Sequence, residues 1–226
     1  MKVTKLLEAR AGAMTARAAT VVRAAAARFR IDRPARAVGT LSPEAERWLS
    51  MAVPDTAVTV TGVAGGVGTS TVTALLRSAL RMWRTGDGEL TVTDVGTDPW
   101  LDGAQLDDPH QVVVVVCPAH ERGLGAAADA VRQIGARSAD PDSARRVVVA
   151  VVATSGPGCG ARRALTVAAG QVDAPVIVIP QCTAIAPGNV TSDVARLDVA
   201  GPVSALAAAV VQAARARCRL PLRAGA

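Results

Sequence analysis

The sequence predicts an α/β fold in which a doubly wound, mostly parallel β-sheet is flanked by helices and preceded by an N-terminal helical arm. Half of the 226 residues are apolar, and many of them form short, continuous runs rich in Val and Ile. Continuous runs are typical of strands that are buried on both faces of a sheet. Stretches of helical composition separate these runs, and such alternation of strand and helix favours a parallel sheet.

The first thirty residues have the pattern of a basic, amphipathic helix. Residues 1–37 carry nine basic and two acidic residues, a net charge of +7, whereas residues 38–226 carry 16 basic and 17 acidic residues. This charge predicts contact with an anionic membrane, with DNA or with a protein partner. A solvated helix, or one that packs on the body of the protein, is the alternative. Apolar side chains recur at helical spacing on one face: Val3, Leu7, Met14, Ala18, Val21, Ala25 and Phe29.

Residues 38–56 are predicted to form a short helix and a connector before the main domain, residues 57–226. Ser42 can cap this helix, with Pro43 at its first position and acidic residues in its first turn. Strands are predicted at 57–61, 90–94, 112–117, 147–153 and 176–179. Helices are predicted at about 70–84, 121–137, 160–171 and 203–218.

Composition excludes several classes of protein. The chain has three Trp, one Phe and no Tyr, which are too few aromatic residues for a base-stacking platform that binds single-stranded nucleic acid. Its four Cys lie far apart and lack metal-ligand spacing, so a reducing cytoplasm is the expected compartment. The chain contains no run of about 18 apolar residues, so no membrane span is predicted. Peripheral contact at the inner face of the membrane is compatible with this location.

Residues 58–71 have the pattern of a phosphate-binding loop that lacks its lysine. They read Val-Thr-Val-Thr-Gly-Val-Ala-Gly-Gly-Val-Gly-Thr-Ser-Thr, an apolar strand followed by glycines and the start of a helix. Gly65, Gly66 and Gly68 let backbone amides approach an anion, and the helix N-terminus adds partial positive charge. Thr69 stands where the lysine is expected, and Ser70 occupies the position of the hydroxyl that ligates Mg²⁺. A glycine-rich turn that binds nothing is the alternative.

The segment Ala64–Thr71 resembles the deviant Walker A motif, Lys-Gly-Gly-x-Gly-Lys-Ser/Thr-Thr, of the ParA/MinD family of P-loop ATPases. The resemblance implies a P-loop NTPase-like domain that binds ATP or ADP with Mg²⁺. Ala64 replaces the lysine that reaches across the family's ATP-sandwiched dimer, and Thr69 replaces the lysine that binds phosphates in its own subunit. The resemblance also implies the nucleotide-binding residues, which are Gly65, Gly66, Val67, Gly68, Thr69, Ser70 and Thr71.

Asp94 ends an apolar run, Leu90–Asp94, that resembles a Walker B strand. The resemblance implies that Asp94 and Ser70 serve the Mg²⁺ ion and that Asp94 is the candidate catalytic residue. Alternatively, Asp94 matches an earlier strand of the family, whose Asp positions the attacking water. An Asp at a strand end can also simply cap a turn.

Two later segments resemble the family more weakly. Residues 112–123 resemble a strand that ends in Pro and leads into a partner-facing helix, and residues 177–182 resemble the strand whose Ile-Pro end approaches adenine. The pair His120 and Glu121 could suggest acid–base chemistry. Because no nucleophile motif accompanies it, a surface pair in a loop or at a helix start is predicted instead. Residues 162–163, both Arg, could compensate for the missing lysine or begin a solvated helix.

The leading hypothesis is a ParA/MinD-like protein with weakened or lost ATPase activity that acts in positioning, scaffolding or regulation. The TadZ/CpaE-type branch of the family, concerned with pilus localisation, is a comparable setting. The first alternative is an active Mg-ATPase of chromosome or plasmid partition, or of septum or pilus-site placement. The second is a DNA-associated partition protein that uses the basic arm. Because the lysine at position 64 is absent, both a monomer and a homodimer are compatible with the sequence.

Overall fold

The computed structural model describes residues 41–97, 107–140, 142–153, 170, 172–180 and 199–216. Its described strands form one parallel sheet of five strands in the order β2-β1-β3-β4-β5. The strands are β1 (Thr56–Gly62), β2 (Leu90–Asp94), β3 (Gln111–Pro118), β4 (Val147–Val152) and β5 (Val176–Ile179). The prediction of an α/β fold with a parallel sheet is therefore confirmed.

Four α-helices belong to the described residues, together with one short 3₁₀ helix at Ser143–Arg146. Ser42 caps the first helix by accepting a hydrogen bond from the Ala45 amide at 3.2 Å, as the sequence predicts. The predictions for the N-terminal arm and for a helix near 160–171 lie outside the described residues. The α-helices are α1 (Pro43–Leu49), α2 (Thr69–Trp83), α3 (Glu121–Arg137) and α4 (Ala200–Arg215).

Helices cover both faces of the sheet, so the core has two layers. On one face, α1, α2 and α4 pack over the side chains of Val58, Val114 and Val148. On the other face, α3 packs over Val115 and Val149. Neighbouring residues of β3 and β4 thus point into different layers, which explains why these strands are continuously apolar. This arrangement is the doubly wound architecture that the sequence predicts.

Helix α1 and the residues after it pack into the same core as α2 and α4. Leu49 is fully buried, and its carbonyl accepts hydrogen bonds from the amides of Thr85 and Gly86 at 3.2 Å. Gly88 has a φ of +87°, and a Cβ at this position would collide with the carbonyl of Val53. Backbone contacts and hydrogen bonds therefore hold the end of α1 and the residues after it against the turn that follows α2.

The amino edge of the sheet, where β3 and β4 begin, holds a buried charged side chain. Arg146 precedes β4, and its side chain is 5% exposed. Its guanidinium donates to Asp140 Oδ2 at 3.0 Å and to the carbonyl of Asp108. Nearby, Asp107 accepts hydrogen bonds from the Ser138 hydroxyl at 2.8 Å and from the Ala139 amide at 2.7 Å. These contacts tie the start of β3 to the end of α3.

Among the described residues, every helix is too short or too polar to cross a membrane.

Candidate phosphate-binding loop

The glycine loop, residues 63–68, connects β1 to α2 at the carboxyl edge of the sheet. From β1 the chain passes to β2 on one side, whereas β3 and the strands after it lie on the other side. The loop therefore lies where the strand order reverses direction. In open α/β sheets, ligands bind in the crevice at such a switch point, beyond the carboxyl ends of the strands.

Hydrogen bonds hold the base of the glycine loop to both neighbouring strands. The Gly62 amide donates to the carbonyl of Gly96 at 2.8 Å, on the side of β2. The Val63 amide donates to the carbonyl of Val116 at 3.0 Å, on the side of β3. The start of the loop is thus fixed by the sheet, while Ala64, Gly65 and Gly66 are exposed to solvent.

The three glycines of the motif have different structural roles. Gly66 has a φ of +74° and Gly68 a φ of +91°, which are backbone conformations that residues with a Cβ rarely adopt. Gly65 does not have a positive φ, and a Cβ there would have no neighbour within 4 Å. The loop's conformation therefore requires glycine at positions 66 and 68. It does not require glycine at position 65, where the surrounding space is open.

Helix α2 begins without a side-chain cap. Gly68 occupies its N-cap position, and its first turn contains no acidic residue. By contrast, Ser42 caps α1 and His120 caps α3, and both of those helices have acidic residues in their first turn. Helix α4 also lacks a side-chain cap and an acidic first turn, so α2 is distinguished by its place at the switch point of the sheet. The first amides of a helix have no partner within the helix and carry partial positive charge. At α2 these groups are left for water or for an anion in the crevice.

Thr69, which stands at the lysine position, turns its side chain inward. The residue is only 7% exposed, and its Oγ1 lies 2.5 Å from the point that a Cβ on Gly62 would occupy. The Val67 side chain approaches the same point to 2.8 Å. Threonine and valine thus fill the space beneath the loop, and no cationic side chain extends from position 69 towards the crevice.

Ser70, the candidate Mg²⁺ ligand, is exposed at the start of α2, and Thr71 is half-buried beside it. An exposed hydroxyl at this position can reach a ligand in the crevice. Among the described residues, the search for three or more His, Cys, Asp or Glu side chains that could share a metal ion finds no group. Ser70 and Asp94 stay the predicted protein ligands of a Mg²⁺ ion, whose other ligands would be phosphate oxygens and water.

Asp94 lies at the end of β2, beside the strand that leads into the glycine loop. It is in register with Val60, two residues before the end of β1. Its Oδ1 accepts a hydrogen bond from the Gly96 amide at 2.9 Å, and Gly96 has a φ of +75°. The carboxylate thus closes the turn after β2. This hydrogen bond is the one that the turn-capping alternative predicts, and the magnesium-linked role of Asp94 stays a prediction.

The end of β3 leads to a helix cap that the sequence does not reveal. Nδ1 of His120 accepts a hydrogen bond from the Gly123 amide at 3.0 Å, so the imidazole is the N-cap of α3. The sequence predicts a surface pair in a loop or at a helix start, and the structure shows the helix start, with both residues exposed. Histidine is not among the usual N-cap residues. Cys117, three residues before His120, is fully buried, and burial raises the pKa of its thiol to about 12. Such a thiol is unreactive at neutral pH.

Comparison of the chain with protein-family models, with curated proteins and with solved structures gives no match. The likeness to P-loop proteins therefore depends on the residues of the motif and on the geometry around it. Measured against the pattern Gly-x-x-x-x-Gly-Lys-Ser/Thr, the chain has Val63 at the first glycine and Thr69 at the lysine. Gly68 and Ser70 match the pattern. Residues 162–163 and 181–182 lie outside the described residues.

Proposed function

We propose that this chain is a ParA/MinD-like P-loop protein with weakened or lost ATPase activity. It acts in positioning, scaffolding or regulation through contact with a protein partner or a membrane. The observation that carries the proposal is the glycine loop, in which an uncapped helix start faces the switch point of the sheet while the lysine position holds an inward-facing threonine. ATP or ADP, with Mg²⁺, is the ligand that this shape favours.

The loop supplies shape and backbone dipoles, and it lacks the charge of the lysine. A charge-assisted hydrogen bond to phosphate contributes about 1.5–3 kcal/mol. Its absence lowers affinity roughly 10- to 100-fold, since every 1.4 kcal/mol changes a binding constant tenfold. Nucleotide binding is therefore weak in this proposal.

Hydrolysis depends on that charge more strongly than binding does. Phosphoryl transfer is accelerated mainly by positioning and by electrostatic stabilisation of the charge on the transferred group. Thr69 adds no positive charge, and the Asp94 carboxylate is engaged with the Gly96 amide. We therefore expect turnover to be absent or very slow.

A measurement of ATP hydrolysis by the purified chain tests this proposal. The expected result is no Mg²⁺-dependent release of phosphate above the background of Ser70→Ala and Asp94→Ala. A turnover like that of working P-loop ATPases, abolished by both substitutions, would contradict the proposal. Thr91→Ala is the matched control, because Thr91 is an exposed hydroxyl residue on β2 away from the glycine loop.

The contact made by residues 1–37 has a test of its own. Co-sedimentation of the full chain with anionic vesicles, but not with neutral ones, supports a peripheral membrane role. Binding to DNA that falls steeply with salt supports the partition alternative. The two results separate the partners without reference to nucleotide.

A further inference from the structure

Strand β2 lies at one end of the sheet, because among the described strands it pairs with β1 alone. The Thr56 amide donates to the carbonyl of Glu89 at 2.8 Å, and the Val95 amide donates to the carbonyl of Val60 at 3.0 Å. Backbone groups point alternately to the two sides of a strand, so every second residue of β2 turns its amide and carbonyl away from β1. The outward-facing residues are Leu90, Val92 and Asp94.

The side chain of Arg77 lies against the middle of this free edge. Arg77 belongs to α2, and its Nε and Nη2 both donate to the carbonyl of Val92, at 3.0 Å and 2.6 Å. A guanidinium is always charged and holds its donors in a rigid, planar fork. Two of these donors therefore converge on one outward carbonyl, and a positive charge lies where a further strand would have to approach.

The sequence of β2 contains few of the features that keep an edge strand from pairing. Natural edges are protected by charged side chains, by proline or by bulges. Residues 90–93 read Leu-Thr-Val-Thr, which are uncharged and mostly of high β-propensity. Thr91 and Thr93 are exposed, and Val95, just after the strand, is an exposed hydrophobic residue. The positive charge at the centre of this edge is therefore supplied by α2 and not by the strand.

We propose that Arg77 guards this edge and keeps a second copy of the chain from adding its own β2 to the sheet. A second strand would have to take the Val92 carbonyl, displace the guanidinium and remove water from its charge, which is costly. Without Arg77, two identical edges can pair about a two-fold axis, since such an interface joins the same surface of both copies. This role of Arg77 does not depend on nucleotide binding.

The assembly state of Arg77→Ala at roughly 100 μM, measured by light scattering, tests the proposal. We expect this variant to form species of at least twice the mass of the wild-type form, which itself stays unchanged. Arg77→Gln keeps part of the stem and removes the charge, so it should behave in the same way. Arg81→Ala is the matched control, because Arg81 is an exposed arginine in the last turn of the same helix.

Hydrogen exchange and a second substitution locate the new contact. The outward amides of Leu90, Val92 and Asp94 should exchange at least roughly 10-fold more slowly in associated Arg77→Ala than in the wild-type chain, because strand pairing protects them. Adding Thr93→Lys to Arg77→Ala should restore the wild-type mass. A lysine on an edge strand opposes pairing, and in a symmetric pair it would approach its own copy.

The outcomes decide between a guard and a simple fastening of α2 to β2. Association of both Arg77 variants, with protected outward amides and reversal by Thr93→Lys, supports the guard. Folded Arg77 variants of wild-type mass overturn it, as does association without protection of β2, because another surface then pairs. Equal association of Arg81→Ala, or outward amides already protected in the wild-type chain, also overturns it. Unfolding of both Arg77 variants, seen in their melting curves, overturns it too, because Arg77 is then needed for the fold itself.

Discussion

The amino edge of the sheet uses buried charged side chains, whereas the carboxyl edge, at the glycine loop, is built mainly from backbone. At the amino edge, Arg146 and Asp140 form an ion pair whose side chains are 5% and 13% exposed. At the carboxyl edge, the residue in the lysine position is Thr69, and α2 begins at a glycine. Both edges are fixed by hydrogen bonds. At the carboxyl edge these come from backbone groups and from the Asp94 carboxylate, whereas the amino edge contains an ion pair.

This difference shows that the conformation of the glycine loop does not depend on a buried ion pair. Strand pairing and two glycines with positive φ determine the conformation of the glycine loop. A lysine that contacts phosphate is not needed for this conformation, because its partner is the ligand. At the amino edge the opposite holds, since the ion pair of Arg146 and Asp140 is part of the fold and removing either side chain breaks it.

The largest expected effect is at the amino edge. Arg146→Ala should lower the free energy of unfolding by about 3–5 kcal/mol, because it breaks the ion pair with Asp140 and removes the hydrogen bond to the carbonyl of Asp108. Urea denaturation measures this change. Arg145→Ala is the control: Arg145 pairs with Asp142 on the surface, its side chain is 73% exposed, and a surface pair contributes about 0–1 kcal/mol. Equal losses in the two variants would show that Arg146 is not a structural anchor.

A smaller effect distinguishes the glycines of the carboxyl edge. Gly68→Ala should destabilise the protein by about 1–2 kcal/mol, because alanine is strained at a φ of +91°. Gly65→Ala, which places a methyl group in open space, should leave the unfolding free energy nearly unchanged. Thermal or urea denaturation of both variants makes the comparison. If Gly65→Ala were the more damaging, the loop conformation described above would be wrong.

The smallest expected effect concerns pH at the amino edge. Hydrogen bonds from the Ser138 hydroxyl and the Ala139 amide hold the pKa of Asp107 below its usual value of 3.8. A lowered pKa adds stability above the unfolded value, and this stability is lost as the pH falls through the folded value. Asp107→Asn should therefore be less stable than the wild-type chain at neutral pH, and the difference should shrink below pH 3.8. A stability difference between the two chains that grows as the pH falls would contradict a lowered pKa of Asp107.

The strands were predictable because their sequences are unambiguous. The Val-rich runs at 112–117 and 147–153 correspond to β3 and β4 within one residue. Helix α3 has the predicted bounds, and α2 begins one residue early, at Thr69. A run that is apolar at every position can only be buried on both faces, so local composition already reflects the tertiary environment.

Features that depend on contacts distant in sequence were not predictable. Arg146 looks like its neighbour Arg145, and only the folded chain brings Asp140 and the carbonyl of Asp108 to one of them. Gly65 and Gly68 also cannot be distinguished from the sequence, although only Gly68 has a positive φ. The direction of the Thr69 side chain follows from its packing on Gly62, which no local pattern reveals.

Calorimetric titration of the wild-type chain and of Thr69→Lys with ATP, with and without Mg²⁺, tests most directly whether the loop has kept its shape and lost its charge. The expected result is weak binding by the wild-type chain and an affinity about 10- to 100-fold higher for Thr69→Lys, since the lysine restores a charge-assisted hydrogen bond. Arg47→Lys, at an exposed site in α1 away from the loop, is the control and should bind as the wild-type chain does. If Thr69→Lys folds and binds no more tightly than the wild-type chain, the glycine loop is a structural turn without a nucleotide site.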